Sequence, residues 1–180
     1  MSGIAEVFSD YHFNDQHLTL LAGPCAIESY EVCAQVAEQL KNLTDELKIN
    51  FIFKSSFDKA NRSSGSSDRG AGLEKGLAIL DRIKKEYQVP IVTDVHESYQ
   101  CQPVAEVADV LQIPAFLCRQ TDLLVAAAKT GKMVNIKKGQ FLSPEAMKFA
   151  VDKVRESGDD RVMVTERGTT FGYQDLIVDY

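Results

Sequence analysis

The strongest constraint on this chain is an alternation of hydrophobic period. Short apolar runs rich in branched and aromatic residues occur at LTLLAG (18–23), FIFKSS (51–56), PIVTDV (90–95), VLQIP (110–114), MVNIKK (133–138) and RVMVTERG (161–168). Runs of this length read as buried strands. Between them the spacing becomes helical: Cys33, Val36, Ala37, Leu40, Leu43 and Leu47 form one stripe, and Leu73, Leu77, Leu80, Ile83 and Tyr87 a second. Met147, Ala150, Val151 and Val154 repeat the pattern behind Ser143-Pro144, where serine can cap free N–H groups and proline suits the first helical position. Gly131 supplies the backbone freedom that closes a fourth helix.

Strand and helix in alternation predict a parallel sheet with crossover helices, either open and doubly wound or closed into a TIM-type (β/α)8 barrel. No GxGxxG follows the first strand. Polar residues instead recur at the C-terminal ends of successive strands: Cys25, Lys54 with Ser56, Asp94 with His96, Arg119, Lys137 and Arg167. A barrel would gather these on one rim, where barrel enzymes place their sites, so the barrel is the expected fold. Strand starts recur about every 29 residues, and eight such units would need roughly 250 residues. About six units are therefore expected here, as one incomplete barrel domain over 1–180 with a short N-terminal extension, 1–17, and the closing units beyond residue 180.

Composition excludes several classes. With 44% apolar and 26% charged residues the chain is globular. A formal net charge of −6 argues against nucleic-acid binding, which needs a basic face. No apolar run approaches the ~20 residues that span a bilayer, and MSGIAEVFSD lacks the basic start and apolar stretch of a secretory leader. Cys25, Cys33, Cys101 and Cys118 form no CxxC pair, as expected of free thiols in a reducing cytoplasm.

The loop KSSFDKANRSSGSSDRGAG (54–72) sets Lys54, Lys59, Arg62 and Arg69 against Asp58 and Asp68, a net +2 in an acidic chain. Hydroxyls and backbone N–H groups beside cations suit a phosphate, which is held best by several short charge-assisted hydrogen bonds. Composition alone would equally fit a solvated loop. Lys137-Lys138 and Arg167 add cations at strand ends, and these favour the anion site.

GPCAIES (23–29), KSSFDKANRSS (54–64), TDVHE (93–97), IPAFLCRQTDL (113–123), NIKKGQF (135–141) and TERGTTFGYQDLIVD (165–179) resemble the 3-deoxy-D-manno-octulosonate 8-phosphate synthases. The likeness runs from about residue 18 to the end. It implies a transferase of lipopolysaccharide biosynthesis that condenses phosphoenolpyruvate with D-arabinose 5-phosphate, releasing phosphate, and works as a homotetramer. The related 3-deoxy-D-arabino-heptulosonate 7-phosphate synthases share GPC and DVHE but carry a KPRTS-type loop. By resemblance, Lys54, Ser56, Lys59, Lys137, Gln140 and Arg167 surround phosphoenolpyruvate, with Lys59 near the reacting carbons. Asn61, Arg62 and Ser63 match the residues at the sugar phosphate, and Arg119 one that reaches a neighbouring subunit's site. Lys59, Asp94 and His96 are the candidate catalytic residues; Asp94 and His96 face the site on the third strand, although His96 alone fits a hydrogen-bonded core histidine equally well.

Cys25 divides that family. Metal-independent members have asparagine in its place, whereas metal-dependent members keep cysteine and add histidine, glutamate and aspartate ligands. The resemblance thus implies a divalent ion, zinc, iron or manganese, with one ligand at Cys25 and the others beyond residue 180; taken alone, an isolated cysteine more often packs than ligates. With His12, His17 and His96 as the three histidines, a non-catalytic phosphosugar-binding fragment stands as the alternative to an enzyme.

Overall fold

The computed structural model describes residues 3–60, 69–158 and 160–178. It comprises two compact units, Met1–Asp94 with Glu106–Asp109 and Val95–Ala105 with Val110–Tyr180.

The first unit runs α1 (Ile4–Val7), β1 (Thr19–Ala22), α2 (Tyr30–Glu46), β2 (Asn50–Lys54), α3 (Leu73–Tyr87) and β3 (Ile91–Asp94). β2 pairs in parallel with β1 on one side, Leu21 opposite Ile52, and with β3 on the other, Phe53 opposite Ile91. A parallel strand covered on both faces needs a continuous apolar run, and Phe51, Ile52, Phe53, Ile91 and Val92 are all buried. Ser29 caps α2 by accepting the Val32 N–H, while α3 ends at Gln88 in the left-handed region with Lys84 and Lys85 in its last turn. The stripe on α2 differs from the expected one: Cys33, Ala37 and Thr44 are buried, whereas Leu43 and Leu47 are exposed. At 100° per residue Leu43 lies about 100° from the centre of that line. Leu47 is the C-cap.

The second unit begins with a single 3-10 turn (Ser98–Gln100) and α4 (Cys101–Ala105). It continues with β4 (Val110–Ile113), α5 (Thr121–Ala128), β5 (Met133–Lys137), α6 (Lys148–Glu156) and β6 (Val162–Thr165), and ends in β7 (Thr169–Thr170) and β8 (Leu176–Ile177). β5 is parallel to both β4 and β6, with Val134 opposite Leu111 and Val162. Gly131 has φ +70°, the conformation that ends α5. Ser143 accepts the Ala146 N–H at 3.3 Å in the turn that leads into α6. β7 and β8, which the sequence does not announce, form an antiparallel hairpin.

Six strands, β1–β6, thus alternate with five helices, α2–α6, in the manner of a TIM-type (β/α) barrel, the α/β class expected. Strands β2, β3, β4 and β5 are buried almost throughout, while β1 and β6 are half-exposed. Among the described residues no helix is long and apolar enough to cross a membrane.

Candidate functional site

In the first unit the chemistry gathers where β2 ends. Lys54 is its last residue, and Ser55 and Ser56 carry the chain into the following loop. Two contacts hold that corner against the segment after β1: the Ser55 hydroxyl donates to the Pro24 carbonyl at 2.8 Å, and the Ile27 N–H donates to the Ser56 carbonyl at 3.0 Å. A Cβ on Gly23 would stand 2.1 Å from the Lys54 carbonyl oxygen. Only glycine permits so close an approach, which gives the first letter of GPC its physical reason.

Ser56 is fully buried and is the hub of this corner. Its hydroxyl donates to Asp94 Oδ2 at 2.8 Å. The same oxygen accepts from Lys54 Nζ at 3.0 Å and from Lys59 Nζ at 2.8 Å. Lys54 and Asp94 are a further 4.0 Å apart as an ion pair. A hydroxyl has one proton and two lone pairs, so this geometry uses all of Ser56's capacity and fixes the direction of each bond. Two ammonium groups on one carboxylate leave a local charge of +1, the condition in which an anion is attracted and several charge-assisted donors are already aimed.

The base of the loop is closed by its own charges. Arg69 forks onto Asp58 with 2.8 and 2.5 Å bonds, which raises the guanidinium's proton affinity. The Lys59 N–H donates to the Arg69 carbonyl at 2.7 Å. Arg69 is therefore engaged with Asp58, while Lys59 reaches Ser56. The positions expected for a sugar phosphate, Asn61, Arg62 and Ser63, lie outside the described residues.

Cys25 is exposed, and Cys33, Cys101 and Cys118 are buried, all four as free thiols. Burial pushes the Cys33 and Cys101 thiols up to about 11. Among the described residues no group of three histidine, cysteine, aspartate or glutamate side chains could hold a metal ion. Cys25 offers one thiolate, which is not by itself a metal centre.

In the second unit Lys137 ends β5, half-buried and opposite Thr165. Gln140 follows in the next loop, its Oε1 buried without a hydrogen-bond partner, and Arg167 is exposed just after β6. Arg119 is exposed, its carbonyl accepting from Lys153 Nζ at 3.0 Å. His96 lies past the end of β3, half-buried, with its backbone N–H donating to Gln100 Oε1 at 2.8 Å.

Two features of this unit were not singled out from sequence. Asn135 Nδ2 donates to Gln112 Oε1 at 3.2 Å, and Thr165 Oγ1 donates to Asn135 Oδ1 at 2.8 Å, so a polar ladder crosses β4, β5 and β6. The signal was a single polar letter inside each apolar run. The second is the burial of Lys138, which the sequence groups with Lys137 among the strand-end cations but which is only 1% exposed.

The sequence profile described as the DAHP synthetase I family matches residues 10–178. Curated relatives named 2-dehydro-3-deoxyphosphooctonate aldolase include one from Pisum sativum, 61% identical over 89% of this chain and 55% of its own length. Another, from Fusobacterium nucleatum, is 58% identical over 91% of this chain and 59% of its own length. A third, from a Cyanothece strain, is 54% identical over 97% of this chain and 64% of its own length. The chain thus spans about 55–64% of the length of these relatives.

Proposed function

The chain belongs to the DAHP synthetase I family, and from that premise we propose that its protein condenses phosphoenolpyruvate with D-arabinose 5-phosphate. The products would be 3-deoxy-D-manno-octulosonate 8-phosphate and inorganic phosphate, in lipopolysaccharide sugar synthesis in the cytoplasm. The observation that carries the choice of product is the name shared by relatives at 54–61% identity, which denotes an eight-carbon phosphorylated 3-deoxy sugar acid.

In this reading the enol carbon of phosphoenolpyruvate bonds to the sugar aldehyde while water adds to its second carbon, and the resulting tetrahedral centre expels phosphate. The chain's own part is electrostatic. Lys54 and Lys59, aligned on Ser56, receive the anion, with Lys59 near the reacting carbons; Asp94 holds the serine proton and keeps both ammonium groups in place. Lys137, Gln140 and Arg167 carry phosphoenolpyruvate-binding roles by resemblance, and Asn61, Arg62 and Ser63 the sugar phosphate. A divalent ion, when bound, would polarise the aldehyde or a water; Cys25 supplies one soft ligand suited to zinc, iron or manganese. Among the described residues no group of three metal-ligating side chains surrounds it. A homotetramer in which Arg119 reaches a neighbour completes the proposal.

Incubating the protein with phosphoenolpyruvate and either arabinose 5-phosphate or erythrose 4-phosphate, and weighing the product by mass spectrometry, tests it. An eight-carbon product is expected. Preference for erythrose 4-phosphate would assign the heptulosonate 7-phosphate activity instead. Saturable phosphoenolpyruvate binding without turnover of either sugar would favour the second reading, a non-catalytic phosphosugar-binding fragment.

A further inference from the structure

Lys137 is the last residue of β5 and Lys138 the first of the loop that follows, and the two differ in burial. Lys137 is half-buried, whereas Lys138 is 1% exposed and turns its ammonium into the protein. There it meets more acceptors than it has protons: Leu142 O, Gly168 O and Thr169 Oγ1 at 3.0 Å each, and Gly139 O at 3.4 Å. The Glu166 carboxylate stands 3.9 Å away and balances the charge. Two of these acceptors belong to the loop after β5, and the other two to the end of the loop after β6 and the first residue of β7. Backbone bonds run beside them: Lys138 N–H to Thr165 O at 2.9 Å, and Thr170 N–H to Gln140 O at 2.8 Å. Glu166 Oε1 also accepts the Gly168 N–H at 2.6 Å.

A buried ammonium is retained only where acceptors replace its hydration, and here they come from two segments that would otherwise be separate loops. Between them these loops carry Gln140 and Arg167, and Lys137 immediately precedes the first. We propose that Lys138 is a positioning residue whose buried ammonium locks the loop after β5 to the loop after β6, so that Lys137, Gln140 and Arg167 meet an anion as one preorganised piece. The anion-binding half of this statement rests on the function proposed above; the locking half does not. Arginine would not replace lysine, because its planar fork cannot reproduce three donors diverging from one point.

The test compares the chain with Lys138→Met, which keeps the stem and removes the charge, by site-resolved amide hydrogen exchange and by calorimetric titration with phosphoenolpyruvate. Faster exchange confined to Gly168, Thr170 and their neighbours is expected, with the dissociation constant raised on the order of 10–100-fold through lost positioning. Uniformly faster exchange with unchanged affinity of the folded fraction would mean an ordinary core residue and would overturn the proposal. Should Lys138→Met fail to fold, Thr169→Val removes one acceptor. It should speed exchange at Thr170 and weaken binding several-fold; no change in either would also overturn the lock. If the unaltered chain does not bind phosphoenolpyruvate, the proposed function fails. The exchange pattern then decides the lock alone, localised loosening supporting it and its absence refuting it.

Discussion

Replacing Ser56 by alanine removes a fully buried hydroxyl that serves three charged groups at 2.8–3.0 Å. Hydrogen bonds to charged partners are worth about 1.5–3 kcal/mol net, but the three losses do not add. Lys54 already lies 4.0 Å from Asp94 and can close on it directly, and Lys59 can turn toward water. The loss that Lys54 repairs least is at Asp94 Oδ2, because Lys54 stands on the Oδ1 side of a carboxylate whose side chain is 10% exposed. The expected destabilisation is therefore about 2 kcal/mol, one such bond, which lowers Tm by about 4–8 °C in a chain of this size. Because the serine also aims both ammonium groups, phosphoenolpyruvate affinity should fall by about tenfold or more, the equivalent of ~1.4 kcal/mol. Thermal unfolding and calorimetric titration of Ser56→Ala read the two effects separately. A Tm within about 1 °C of the parent, inside ordinary surface-mutation scatter, together with unchanged affinity, would refute the hub.

Gly23→Ala should be strongly destabilising, because its Cβ would sit 2.1 Å from the Lys54 carbonyl and neither backbone can yield without moving the corner; reduced Tm with loss of phosphoenolpyruvate binding is expected. Alkylation at pH 8 followed by mass analysis should label Cys25 and spare Cys33, Cys101 and Cys118. Burial raises the Cys33 and Cys101 thiols from 9.0 to about 11, so the folded state keeps protons that the unfolded state releases. Their contribution to stability is present below pH 9 and is lost as pH rises toward about 11, which Tm against pH will show as an alkaline decline. Titrating the chain with zinc in competition with a chelating dye should reveal no tight one-to-one site, since Cys25 offers one ligand; tight binding abolished by Cys25→Ser would show that other side chains of this chain join Cys25 in a metal site.

The six main strands were legible to within a few residues, because parallel strands buried on both faces spell out continuous runs such as FIF and VLQI. What escaped was short or local. α1, α4 and the β7–β8 hairpin have too few residues to establish a period. The face of α2 was read as broader than it is, since apolar letters at Leu43 and Leu47 look like core until the helix ends and its rotation leaves them outside. At the site, KSS suggested an anion loop, but only coordinates show that Ser56 serves Lys54, Lys59 and Asp94 at once. Likewise KK reads as a pair of strand-end cations for an anion, and only coordinates separate the half-buried Lys137, which ends β5, from the buried Lys138 in the loop beyond it.

The proposed site requires that Lys54 and Lys59 receive the substrate anion as a pair. Lysine-selective nitrogen-15 labelling, with assignment through Lys54→Met and Lys59→Met, lets both ammonium resonances be followed during titration with phosphoenolpyruvate. The two resonances are expected to shift together, saturating at one dissociation constant, and the response should weaken in Ser56→Ala. Binding that saturates while both resonances stay fixed would place the anion elsewhere and contradict the site.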